Sequence, residues 1–210
     1  HMTVLDIVVE PLKVNRLAEG PEEREARVAE ALEAVDLTPP QSFFESYPHQ
    51  LSGGQRQRVA IAAALVLRPK FIVADEPVSM LDVSVRAGIL KLMLILRNEF
   101  DLTYLFITHD LALARNLVNR IAIMYLGKIM EIGNAKEVVG VPLHPYTKAL
   151  VSVVPVPNPK AKKDKILLAG EIPSPIQIPS GCRFHTRCPI AQDICSKEEP
   201  ALLQVLPSHS

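Results

Sequence analysis

Two short apolar runs, each closed by acids or a histidine, restrict the architecture of this chain more than any other feature. "KFIVADEP" sets four apolar residues, Phe71 to Ala74, directly before Asp75 and Glu76. "LTYLFITHD" repeats the design and ends in Thr108, His109 and Asp110. Apolar runs of this kind suit strands of a parallel sheet covered on both faces. The carboxyl ends of such strands are where open sheets bind ligands. A helical stretch from about Ser84 to Phe100 separates the two runs and serves as the crossover that parallel pairing requires. The pattern predicts an α/β core.

Upstream, the chain reads as helical through Leu37. "PEEREARVAEALEAVDL" has acids in its first turn and apolar residues at Val28, Leu32 and Val35, and Pro39 and Pro40 close it. The loop "QSFFESYPHQ" leads into "LSGGQRQRVAIAAAL", Leu51 to Leu65. There Ser52, Gly53 and Gly54 are expected to turn tightly into a helix whose free N–H groups and dipole attract an anion. That helix is apolar on nearly every face from Val59 to Leu67, so it is expected to be buried and to stop at Pro69. Downstream, "RIAIMYLGKIMEIG" reads as two strands around a turn at Gly127. Beyond Gly140 prolines become frequent. An appended extension is expected there: a helix at "YTKALVSVV", an exposed linker with the basic run "KAKKDK", then a small segment bearing Cys182, Cys188 and Cys195.

Charge and hydropathy narrow the function classes. The 210 residues carry 23 Lys and Arg against 23 Asp and Glu, which argues against broad binding to nucleic acid or an anionic membrane. The longest apolar run is too short to span a bilayer, and the expectation is a chain without a secretory signal. The opening His-Met reads as the remnant of a cloning site, so the natural chain is expected to begin further upstream. Three clustered cysteines without a secretory signal read equally as metal or cluster ligands and as three reduced packed thiols.

The chemistry rests on a constellation. Asp75 and Glu76 at a strand end suggest a magnesium-dependent phosphate site, one carboxylate holding the cation and the other orienting or deprotonating water. His109, closing the neighbouring strand, is placed to hydrogen-bond a terminal phosphate. Each feature alone is better explained as a strand cap or a surface histidine. Their occurrence in order after "LSGGQ" reverses that judgement. Yet no GxxxxGK[ST] phosphate loop occurs among the 210 residues.

The residues that carry this constellation resemble the ATPase subunits of ABC transporters. "LSGGQRQRVAIAAAL" matches the family signature motif and "FIVADEP" its Walker B strand. "SMLD", Ser79 to Asp82, resembles the D-loop, and "ITHD" contains the switch histidine, His109. The resemblance implies a head-to-tail dimer in which each ATP lies between the Walker A loop of one subunit and the signature motif of the other. It implies that Ser52, Gly53, Gly54 and Gln55 contact the γ-phosphate of ATP held by the partner. It further implies that Asp75 helps hold Mg, that Glu76 is the general base, that His109 contacts the γ-phosphate, and that Asp82 communicates across the dimer interface. Walker A, the base-stacking aromatic and the Q-loop glutamine have no counterpart here. "MTVLDIVVEPL" resembles the segment immediately after the Q-loop. The expectation is therefore a partial P-loop NTPase domain, truncated at its N-terminus, with little ATPase activity by itself and with a sheet edge or core face left uncovered. The expected layout is a helical subdomain over residues 3–68, the remaining RecA-like core over 69–140 and an extension over 141–210.

The tail narrows the branch. "HPYTKALVSVVP" and "GEIPSPIQIPSGCRFHTRCPIAQDIC" resemble the C-terminal extension of oligopeptide and dipeptide importer ATPases, which nickel importers share. In that group four cysteines can hold an iron–sulfur cluster. Cys182, Cys188 and Cys195 match the first three positions, and the fourth has no match. A [4Fe-4S] cluster in the intact protein, or a zinc site completed by His185 or His209, is the expectation the resemblance leaves open, with free thiols as the alternative. The implied partners are a second ATPase subunit, transmembrane permease subunits and, indirectly, a solute-binding protein, with no nucleic acid. The implied location is the cytoplasmic face of the cell membrane. The competing expectation is a non-catalytic half-domain that docks on an intact ABC ATPase.

Overall fold

Thr3 and Asp6 begin the first helix by capping each other. The Thr3 hydroxyl accepts from Asp6 N–H at 3.2 Å, and Asp6 accepts from Thr3 N–H at 3.0 Å. These Thr3 hydrogen bonds hold the Asp6 carboxyl below its usual range. In the computed structural model, which describes residues 2–155, 164–205 and 209, the chain divides into two compact units, His1–Ile107 and Thr108–Ser210. The opening His1 and the basic run from Lys160 to Lys163 lie outside the described residues.

The first unit contains α1 (Val4–Val14), α2 (Pro21–Ala34), α3 (Gln41–Phe44), α4 (Gly53–Leu65), β1 (Phe71–Asp75), α5 (Val83–Glu99) and β2 (Thr103–Ile107). Its core is built from one stripe of each helix: Val4, Val8 and Leu12 of α1, Val28 and Leu32 of α2, Val59 and Ala62 of α4, and Leu92 and Leu96 of α5. β1 and β2 pair in parallel, with Asp75 opposite Ile107.

Three expectations change on folding. The strands are not covered on both faces. Ile72 and Tyr104 pack against the core, but Phe71, Val73, Leu105 and Ile107 are 54%, 55%, 50% and 45% exposed. The helices of this unit cover one face of a two-stranded sheet, and no described residue of the unit covers the other. Nor is α4 buried all round. Only Val59, Ala62 and Leu65 are buried along it, because alanines on its other faces are apolar without needing burial. The helical stretch expected through Leu37 is two helices, divided at Gly20 where Pro21 starts α2.

The second unit contains α6 (Leu111–Leu117), β3 (Arg120–Tyr125), β4 (Lys128–Asn134), α7 (Ala135–Gly140) and α8 (Pro145–Ser152). β3 and β4 form the expected hairpin, with Leu126 at φ 46° and Gly127 at φ 78°. Only glycine takes that second position without strain. Behind the hairpin, Phe184 is fully buried and meets Tyr125, His144 and Tyr146 at ring-centroid distances of 5.3, 5.4 and 5.3 Å. This aromatic knot ties the cysteine-bearing segment to the hairpin and to the start of α8.

Glu131 lies at an inward position of β4 and is 1% exposed. Its carboxylate accepts from Leu143 N–H at 2.8 Å and His144 N–H at 2.9 Å, and its Oε1 stands 2.5 Å from His209 Nε2. One buried acid thus caps the approach to α8 and holds the tail, with His209 bridged to Gly133 of β4.

Candidate functional site: the signature helix and the end of the first strand

Ser52 is the N-cap of α4, and Gln55 stands at its third helical position. Ser52 Oγ accepts from Gln55 N–H at 3.2 Å, and Gln55 Oε1 accepts from Ser52 N–H at 2.9 Å. In this reciprocal box both side chains act as acceptors. The Ser52 hydroxyl hydrogen and the Gln55 NH2 group remain as donors. The N–H groups of Gly53 and Gly54 take no part in the box and belong to the first-turn donors that a helix cannot satisfy internally. The end of α4 is therefore rich in donors for an anion. Ser52 is exposed there, and Gly53, Gly54 and Gln55 are half-buried.

The glycines owe their place to packing rather than to unusual backbone. Neither has positive φ, and both lie inside α4. A Cβ on Gly53 would stand 3.2 Å from Leu81 Cδ2, and one on Gly54 would stand 2.8 Å from Val85 Cγ1. The tight turn expected at these positions is instead a close approach between the start of α4 and the segment entering α5.

That segment descends directly from the strand. Asp75 ends β1 as an exposed carboxylate, and Glu76 follows at φ 45°, its N–H donating to Ile107 O at 3.0 Å. The chain then turns, Ser79 N–H donating to Glu76 O at 3.2 Å and Leu81 N–H to Val78 O at 3.3 Å. Asp82 is the N-cap of α5 but makes no side-chain capping bond, which leaves its exposed carboxylate outside the helix start. Leu81 packs on Gly53. The first unit thereby joins signature residues, strand-end acids and Asp82 through contiguous contacts.

His109 lies in the other unit, exposed, one residue before Asp110, whose carboxylate caps α6 by accepting from Leu113 N–H at 3.0 Å.

Asp75 fits magnesium chemistry as a single hard oxygen ligand at a strand end, because magnesium keeps several waters and takes its remaining ligands from phosphates. The cysteines do not fit the cluster or zinc expectation. Among the described residues no group of three or more His, Cys, Asp or Glu side chains is placed to hold a metal ion. Cys182, Cys188 and Cys195 are half-buried free thiols. Cys182 N–H donates to Cys195 O at 2.8 Å, and the Cys195 sulfur accepts from Gln192 N–H at 3.4 Å. Short 3₁₀ turns at His185–Arg187 and Asp193–Ser196 join these residues through the main chain without gathering the three sulfurs.

Sequence reasoning missed Leu81 and Val85 as partners of the glycines, Glu131 as an organiser, and Phe184 as the anchor of the extension. Only Glu131 left a signal, an acid at an inward strand position. Among the described residues no helix is long and apolar enough to cross a membrane.

Known proteins share these features. Residues 1–79 match the ABC transporter family, and residues 130–195 match the family described as oligopeptide/dipeptide transporter, C-terminal region. The chain is 50% identical over 209 residues to the putative oligopeptide transport ATP-binding protein YkfD of Bacillus subtilis, covering 99% of this chain and 63% of that protein. It is 47% identical over 204 residues to the oligopeptide transport ATP-binding protein OppF of Escherichia coli, covering 96% of this chain and 60% of that protein. It thus spans rather less than two thirds of the length of these relatives. Among solved structures, a putative metal-chelate type ABC transporter in an inward-facing conformation superposes with a TM-score of 0.60 at 25% identity, covering 71% of this chain and 57% of that one. The dimeric bacterial ABC transporter cassette MJ0796 superposes with a TM-score of 0.54 at 37% identity, covering 64% of this chain and 57% of that one. Both family matches fall on this one chain, at residues 1–79 and 130–195, and the chain belongs to the ABC transporter ATPases of the oligopeptide/dipeptide importer type.

Proposed function

We propose that these 210 residues are the signature-bearing part of an ATP-hydrolysing subunit that energises uptake of oligopeptides or dipeptides by an ABC importer. The observation that carries this reading is the reciprocal cap at Ser52 and Gln55. It orders the helix end while leaving the Ser52 hydroxyl hydrogen, the Gln55 amide and the Gly53 and Gly54 N–H groups to meet a γ-phosphate brought by a partner subunit. Glu76 orients and deprotonates the attacking water, and His109 hydrogen-bonds the terminal phosphate. Asp82, outside the α5 cap, reports closure to the partner. Magnesium, when bound through Asp75, neutralises phosphate charge.

The working layout is a helical subdomain over residues 3–68, core over 69–140 and extension over 141–210. The partners are a second ATPase subunit and membrane-embedded permease subunits, with a solute-binding protein acting through them, at the cytoplasmic face of the membrane. Relatives whose printed names give oligopeptide transport support the peptide assignment. Because no GxxxxGK[ST] loop is present in these residues, the chain alone is expected to turn over little ATP, since positioning supplies most of phosphoryl-transfer catalysis.

Calorimetry with Mg-ATP, with turnover assayed on the same sample, tests the reading. Negligible binding and turnover by the chain alone, with hydrolysis gained on mixing with an ABC ATPase that retains its phosphate loop but carries a disabled signature serine, is the expected result. Tight binding and turnover by the chain alone would overturn it. Docking on that ATPase without any gain in hydrolysis would favour a non-catalytic half-domain.

A further inference from the structure

We propose that Leu81 is a positioning residue for the phosphate contact made by the signature helix. The proposal rests on the reading in which that helix end meets a phosphate held by a partner subunit. Gly53 and Gly54 occupy the first two positions of α4, and the reciprocal bonds of Ser52 and Gln55 leave both glycine N–H groups outside the cap. Glycine restrains its own backbone less than any other residue, so donors on two adjacent glycines are aimed by what packs on them. Side chains from beyond β1 supply that packing. A Cβ on Gly53 would stand 3.2 Å from Leu81 Cδ2, and one on Gly54 would stand 2.8 Å from Val85 Cγ1.

Leu81 differs from Val85 in its anchorage. Val85 belongs to the first turn of α5, whereas Leu81 lies at the end of the turn that starts at Glu76. The Glu76 carbonyl accepts from Ser79 N–H at 3.2 Å and from Ser79 Oγ at 3.1 Å. Leu81 N–H donates to Val78 O at 3.3 Å, and Leu81 O accepts from Arg86 Nη2 at 3.5 Å. The turn is thus tied to the strand end through Glu76 and to α5 through Arg86. Its residue Met80 is 98% exposed, so the turn bears on Gly53 through Leu81. The chain entering α4 is held separately, by Arg56 Nη1 donating to Leu51 O at 3.0 Å. Any shift of the turn that carries Asp82 therefore moves Leu81 and redirects the Gly53 N–H. Donors stabilise developing charge only when aimed before the reaction, and a misplacement of about 1 Å can cost about a hundredfold in rate.

The 210-residue chain serves for the test. It is mixed with an ABC ATPase that retains its phosphate loop but carries a disabled signature serine, and hydrolysis is followed as chain is added to excess. Saturation separates positioning from folding. A partly unfolded variant needs more chain to reach the same plateau, whereas a misaimed donor lowers the plateau itself. Leu81→Ala is expected to lower the plateau about tenfold or more. The ATP concentration at half-maximal rate should change little, because the partner's loop holds the nucleotide. Leu81→Met, which still covers Gly53, is expected to keep most of the plateau. A plateau that Leu81→Ala leaves intact overturns this proposal alone, as do equal losses from Leu81→Ala and Leu81→Met. No gain in hydrolysis from the unsubstituted chain overturns the signature reading and this proposal with it.

Discussion

Gly54 and Val85 approach so closely that a Cβ on the glycine would lie 2.8 Å from Val85 Cγ1. The start of α4 is thereby registered against the first turn of α5, two elements that the sequence separates by a strand and a turn. A helical glycine normally invites replacement by alanine, which gains about 0.5–1 kcal/mol. Here the sign reverses. Gly54→Ala is expected to cost about 1–3 kcal/mol in urea unfolding, the scale of overpacking. Val85→Ala in the same chain is expected to recover most of that loss. A stabilised Gly54→Ala chain would mean the two helices are not in register.

Ser52 orders the same helix from its side chain. Ser52→Ala removes the acceptor for Gln55 N–H and should cost about 1 kcal/mol, whereas Ser52→Gly should cost only a few tenths. Thermal melts of the three chains measured side by side separate the two outcomes.

Glu131 concentrates the polar stability of the second unit. Glu131→Ala strands two backbone donors and His209 in a buried place, with an expected loss of about 3–5 kcal/mol. Glu131→Gln keeps an acceptor and should lose less. Limited proteolysis is expected to cut the tail near Val205 faster in both variants, because His209 is its tether to β4.

His144 confers acid sensitivity. Burial pushes its pKa below the ordinary histidine value, with the Glu131 charge opposing in part. Its Nδ1 also accepts from Tyr146 N–H at 3.1 Å, which protonation would forbid. The unfolded chain therefore takes up this proton before the folded chain does. The contribution is intact above the unfolded pKa, near 6.5, and is lost as pH falls through the lower folded value. His144→Asn keeps a capping oxygen and removes the titration. Its unfolding free energy, compared with that of the parent chain between about pH 7 and pH 5, should fall less steeply.

The open face of the first sheet bears on self-association. Leu105 is 50% exposed there beside Val73 and Ile107, so Leu105→Lys should change stability by no more than about 0.5 kcal/mol while reducing self-association in light scattering. Unchanged association would assign the contact to another surface.

Much of the candidate site could be read before any coordinates. The run from Phe71 to Ala74 is apolar and closes in Asp75 and Glu76 at its carboxyl end, and the Ser52–Gln55 spacing matches the geometry of a helix cap. What could not be read was the reason for the glycines. Gly53 and Gly54 suggested a turn, yet both are helical, and their small size serves Leu81 and Val85 from α5 and the loop before it. The cysteine spacing left a metal site and free thiols both open. Among the described residues, short 3₁₀ turns and main-chain bonds join the three cysteines without placing a group to hold a metal ion.

Local physics, written in the sequence alone, determined the elements: where α4 and α5 start, that β1 and β2 are parallel, that Gly127 turns a hairpin, and which family motifs line up from Leu51 to Asp110. Tertiary structure decided what those elements touch. Only packing could bury Glu131 beneath two backbone donors and a distant histidine, and register Gly54 against Val85. The reason is physical. Helix caps and strand patterns depend on neighbours a few residues away, whereas close approach and burial depend on side chains brought together from far along the chain.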